Sequence, residues 1–161
     1  MIKNQKIYPF FIFLFFLVSC GYTPIFTSQN VEFKIVKYEI SGNEDLANDF
    51  VKRISRSQNN KSTDANEIFL SVDAELRKTS AIKDSTGKIL TYKLDIIIKA
   101  AVKRIGEDKI LYADTLESSL NFDVQDQIYD TNELEKIVTQ NLLRKISTDL
   151  ILRINQFVAQ K

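Results

Sequence analysis

Two stretches of strict alternation constrain this chain more than any other feature. Ile68, Leu70, Val72, Ala74 and Leu76 are interleaved with Glu67, Ser71, Asp73, Glu75 and Arg77. The pattern returns from Leu90 to Val102, where Leu90, Tyr92, Leu94, Ile96, Ile98, Ala100 and Val102 share one phase and Thr91, Lys93, Asp95, Lys99 and Lys103 the other. A two-residue period sends successive side chains to opposite faces of a strand, so these strands predict a sheet that is covered on one side and wet on the other. Asp84-Ser85-Thr86-Gly87 reads as the turn between them, and Gly106-Glu107-Asp108 as the turn before a further strand from Ile110 to about Phe122. The three strands form an antiparallel meander. A strand of about 15 residues measures about 50 Å, so the hairpin ends are expected to project past the core.

Before the meander, Val31 to Ile40 is strand-like, with Val31, Phe33 and Ile35 on one phase and Tyr38 and Ile40 on the other, and the slip near Val36 predicts a bulge. Ser41 with Glu44 has the spacing of a capping box, and Leu46, Ala47, Phe50, Val51 and Ile54 follow at helical spacing. After the meander, Asp130 and Glu133 open a long helix with a stripe of Leu134, Ile137, Val138, Asn141, Leu142, Ile146, Leu150, Ile154 and Phe157. The order is β-α-β-β-β-α. Two amphipathic helices and one apolar sheet face predict an α+β, two-layer sandwich, with both helices on one face of a four-stranded mixed sheet. The crossover helix makes the first two strands parallel if they are neighbours.

Composition removes whole classes of chemistry. The chain has no histidine and one cysteine. Ser-His-Asp and Cys-His relays, Cys/His zinc sites and internal disulfides are therefore excluded, and the four glycines form no phosphate-cradling loop. No catalytic residue, metal site or cofactor is expected, and the chain is read as a non-enzyme. Of 22 basic residues, Lys3 and Lys6 lie in the leader, and the rest nearly balance 21 acidic ones. That balance lacks the broad positive field of a nucleic-acid binder.

The first residues have their own logic. Lys3 and Lys6 precede an apolar run from Ile7 to Val18 that contains Pro9 and falls short of the ~20 residues needed to span a bilayer. Leu17-Val18-Ser19-Cys20 then resembles the lipobox of bacterial lipoproteins, which implies a diacylglyceryl group on the Cys20 thiol, cleavage before Cys20, and palmitate among the acyl chains of the anchor. The chain divides on this reading into a signal peptide at 1–19, a lipidated tether at 20–30 and one domain at 31–161. An ordinary secretory signal with a chance cysteine is the alternative. Gly21 after the cysteine, by similarity to enterobacterial lipoproteins, favours export to the outer membrane.

Cys20-Gly21-Tyr22-Thr23-Pro24-Ile25-Phe26 resembles the opening of the LptE family of lipopolysaccharide-assembly lipoproteins. Ser118-Ser119-Leu120-Asn121-Phe122 with Gln127-Ile128-Tyr129 is similar to that family's last strand and the loop into its last helix. The resemblance implies a lipid-anchored, periplasm-facing protein of the outer membrane that partners and plugs the LptD β-barrel and binds lipopolysaccharide. An auxiliary lipoprotein subunit of a lipid-transporting ABC system is the rival expectation.

One charged cluster fits a ligand. Arg77, Lys78, Lys83 and Lys88 gather along the hairpin between the second and third strands, where ammonium and guanidinium groups could meet the phosphates of lipid A. Lysines also guard strand edges against stray pairing, which explains the same residues without a ligand. Lys103, Arg104 and Lys109 form a second cluster, diluted by Glu107 and Asp108.

Overall fold

The computed structural model describes residues 33–58 and 66–159. The expected leader at 1–19, Cys20 and its tether, and the start of the first strand at Val31 lie outside the described residues.

Strand β1 (Phe33–Gly42) carries one residue more than its partner needs. It pairs in parallel with β2 (Asn66–Lys83), Ile35 opposite Ile68 and Lys37 opposite Phe69, so Val36 is skipped and left 44% exposed. The phase slip in the sequence is this bulge. Gly42 then ends the strand at φ +77°, where a Cβ would stand 2.2 Å from the Ala74 carbonyl oxygen. That oxygen accepts the Asn43 N–H at 2.7 Å, which closes the turn.

Helix α1 (Glu44–Ser57) is capped by Asn43, whose Oδ1 accepts from Leu46 N at 3.1 Å. The Ser41–Glu44 capping box expected from spacing does not form. The left-handed glycine postpones the turn by two residues, so Asn43 takes the cap and Glu44 opens the helix, where its charge suits the helix dipole. Leu46, Ala47, Phe50, Val51 and Ile54 are buried, as their spacing requires.

Strands β3 (Ile89–Arg104) and β4 (Ile110–Asp123) complete an antiparallel meander with β2, in the order β1-β2-β3-β4. With α2 (Ile128–Ala159) the chain is an α+β sandwich of two helices on one face of a four-stranded mixed sheet. Ile68, Leu70, Val72 and Ala74 meet Leu94, Ile96, Ile98, Ala100 and Val102 under the helices. Arg53 and Gln140 bridge the two helices at 2.6 Å.

Helix α2 departs from its expected stripe. Val138, Leu142, Ile146, Leu150 and Ile154 are buried, but so are Leu143, Ile151 and Val158, while Ile137 is 55% and Phe157 46% exposed. The helix packs against β4, β3 and α1 at once. A groove bounded on two sides buries a wider arc than a flat sheet does, and it turns Ile137 and Asn141 out of the contact.

Candidate functional site

Beyond Lys78, which still reaches Glu135 of α2, strand β2 leaves the helices behind. Every residue from Arg77 to Lys83 is exposed, and the hairpin with β3 projects beyond the core as the strand lengths predict. Its turn is held by one carboxylate. Asp84 Oδ1 accepts from Thr86 N, Thr86 Oγ1 and Lys88 N at 2.8, 2.7 and 3.0 Å, and Asp84 N donates to Lys88 O at 2.9 Å. The Thr86 hydroxyl first, and then the backbone donors, hold the Asp84 carboxyl below its usual range. Gly87 supplies the positive φ that closes the turn.

The four cations singled out in the sequence separate into two situations. Arg77 and Lys78 are neighbours in one strand and so face opposite ways. Arg77, on the open face, pairs with Glu75 through both Nε and Nη2 (2.5 and 2.8 Å), and that contact holds the glutamate's carboxyl low. Lys78, on the helix side, pairs with Glu135 of α2 and sits 4.3 Å over the Tyr92 ring and 5.7 Å over Phe122. These two are engaged within the fold. Lys83 and Lys88 flank the turn and make no ion pair among the described residues, because the Asp84 carboxylate between them is turned onto the backbone. The structure brings Lys83 and Lys88 together and keeps Arg77 and Lys78 apart from them.

Exposed apolar side chains lie at the same end of the sheet as these lysines. Ile82 is 52% exposed on the hairpin and Leu90 43%. Val124 N donates to Leu90 O at 2.9 Å, which brings the exit of β4 and the start of α2 to the same end, where Ile128 and Tyr129 are the two most exposed large apolar residues. Alternation alone puts Leu90 in the covered face. The covering helix stops short of it, and strand periodicity carries no information about where a helix ends.

The open face of the sheet is wet but organised. Asp73 and Lys99 pair at 3.0 Å, and Lys93 Nζ lies 2.7 Å from Asp95 Oδ1. Asp95 is buried here, opposite Arg77 in the register, so a cation stands on each side of it. Ala101 faces Ala113, and the small pair leaves a shallow concavity of ≈490 Å³ edged by Asp73, Lys99 and Thr115.

At the opposite end of β4 lies a second polar network. Tyr112 donates to Asp114 at 2.9 Å, and Arg153 of α2 binds both Asp114 and Asp149. Burial first, and the bond to Asp114 second, push the Tyr112 hydroxyl up to about 12. Tyr112 donates to the Asp114 carboxylate, which is thereby held low. Beside it a groove of ≈720 Å³ runs between β4 and α2, with Phe157 5.0 Å from the Tyr112 ring. Arg153 spends two of its five N–H donors on two carboxylates, whose combined charge outweighs its own and disfavours a further anion there. No helix among the described residues is long and apolar enough to cross a membrane.

No family model and no curated protein matches the chain. Solved structures do share its fold. It is similar to a protein of Caulobacter crescentus put forward as a lipoprotein, with TM-score 0.55 and 12% identity over 79% of this chain and 92% of that one. A minor lipoprotein from Acinetobacter baumannii gives 0.54 and 15% over 80% and 94%. An uncharacterized lipoprotein B from Nitrosomonas europaea gives 0.53 and 15% over 81% and 90%. At these identities the likeness is one of architecture: this chain has the fold those proteins have.

Proposed function

We propose that this chain is an outer-membrane lipoprotein, anchored by acyl chains on Cys20, that partners and plugs the LptD β-barrel and binds lipopolysaccharide with its β2–β3 hairpin tip. The observation that carries this reading is the chemistry of the tip. Lys83 and Lys88 form no salt bridge within the described residues, with Asp84 as the opposing charge between them, and Ile82, Leu90, Ile128 and Tyr129 stand exposed at the same end of the sheet. A ligand with phosphates beside acyl chains satisfies both kinds of group, and neither a purely polar nor a purely apolar ligand does.

The dimensions support the plug. The 18 residues of β2 extend about 60 Å, against an outer-membrane barrel's apolar band of about 25 Å. Barrel interiors are polar, and the open face carrying Asp73, Glu75, Arg77, Lys93 and Lys99 is polar in the same sense. That solved proteins of this fold bear the name lipoprotein supports the anchor on Cys20.

Two measurements test the reading. Charge-assisted bonds contribute ~1.5–3 kcal/mol each, so replacing Lys83 and Lys88 together by Ser should weaken lipopolysaccharide binding by at least about tenfold. Arg77→Ser, whose partner is Glu75, should leave it near the wild-type value; the reverse ranking would remove the tip as the binding surface. Affinity purification from detergent-solubilised envelopes should recover a large outer-membrane barrel. Recovery of an inner-membrane ATPase complex instead would favour an ABC auxiliary subunit.

A further inference from the structure

The sheet has a second end with its own exposed apolar groups. Phe33, where the described chain begins, lies opposite Asn66 at the start of β2, and Ile68 lies opposite Arg104 at the end of β3. Ile105 N donates to Glu67 O at 3.3 Å, and Lys103 faces Ile110. The β3–β4 turn is therefore at the end where the chain comes in from Cys20. Ile105 is 41% exposed there, Ile110 52%, and Phe157 46% beside Tyr112. Lys103 and Lys109 make no ion pair among the described residues, whereas Arg104 is drawn toward Glu107 at 3.8 Å.

We infer that this end of the sheet rests on the lipid surface that holds the anchor, with Ile105, Ile110 and Phe157 in the interfacial layer and Lys103 and Lys109 against anionic headgroups. The inference rests on the reading that Cys20 is acylated. The residues from Gly21 to Glu32 separate the acylated cysteine from Phe33, and fully extended they reach about 40 Å. Three apolar side chains and two cations would bind a membrane weakly from solution, and Asp108 opposes them. On a tether the encounter is intramolecular, at an effective concentration near millimolar, so a weak contact is enough to set the orientation. The apolar groups dominate that contact, because Arg104 and Glu107 cancel and the remaining charge is small.

The seating belongs to the anchored protein before it meets a barrel. Tip-first insertion would lift the β3–β4 turn away from the bilayer, and a tether of this reach permits both positions. The hairpin tip, the length of β2 away, stands clear of the lipid while the protein is seated.

The chain's one cysteine makes the test direct, since an acylated Cys20 leaves any introduced thiol as the sole free one. Ile105→Cys, Lys109→Cys and Ile110→Cys, with Thr86→Cys at the opposite tip as reference, are labelled with a small fluorophore in the full lipidated protein. The probe is a vesicle of phosphatidylethanolamine and phosphatidylglycerol with brominated acyl chains. Labels at 105, 109 and 110 should be quenched at least about threefold more than the label at 86, and aqueous iodide should reverse that order. Protein that does not float with the vesicles overturns the acylation itself. Protein that floats, with all four labels equally open to iodide, overturns the seating and leaves the anchor standing.

Discussion

The two faces of the sheet come from the same strands, one residue apart, and they obey different rules. The face toward α1 and α2 holds Ile68, Leu70, Val72, Ile96, Ile98 and Val102 with almost no exposure, and its energy comes from close packing. The face away from the helices holds Asp73, Lys99, Glu75 and Arg77 in ion pairs whose side chains remain 42–61% exposed. Pairs so open to water contribute little to stability. One face therefore determines whether the protein folds, and the other is free to be shaped by what it meets.

Breaking the covered face should have the largest effect. Phe50 is fully buried between the helices and the sheet, and Phe50→Ala should cost ~3–5 kcal/mol, read as a fall in the urea midpoint. A change of under 1 kcal/mol would mean that the core closes over the gap and that the covered face is not the source of stability.

Tyr112 sharpens the comparison, because it lies where the covered face reaches its edge. Its hydroxyl is raised from the ordinary 10.0 to about 12. A raised value means that the folded state holds the proton more tightly, so this contribution is fully present below pH 10 and is lost as pH rises toward 12. Two units set an upper bound of about 2–3 kcal/mol, which solvent screening at the edge of the core reduces, and Tyr112→Phe should abolish that part of the alkaline loss. Identical alkaline profiles for the two proteins would show that neither burial nor the bond to Asp114 raises the Tyr112 hydroxyl.

The open face should give the smallest response. Lys99→Ser breaks the 3.0 Å pair with Asp73, and the loss should stay under about 1 kcal/mol, measured by thermal melting. A loss comparable with that of Phe50→Ala would erase the distinction between the faces.

Much of this architecture is legible in the residues. The alternation of β2 and β3, the slip at Val36 and the stripe of α1 each leave a local pattern, because a side chain's direction follows from backbone periodicity alone. The candidate site is less legible. Arg77, Lys78, Lys83 and Lys88 look equivalent along the chain, yet two of them are neutralised by Glu75 and by Glu135, the latter 57 residues away. Leu90, Ile128 and Tyr129 look like core positions or loop, and they become an exposed apolar collar only because α2 begins where it does.

By itself the order of residues determined which strand side chains share a face, where the strands turn and that no histidine relay or internal disulfide can form, since all of these depend on spacing or on composition. Tertiary structure alone decided the cap at Asn43, the wider buried arc of α2, and which lysines keep their charge unpaired. Those outcomes depend on what another element brings across the gap, and a distance between elements is not written in the interval between residues.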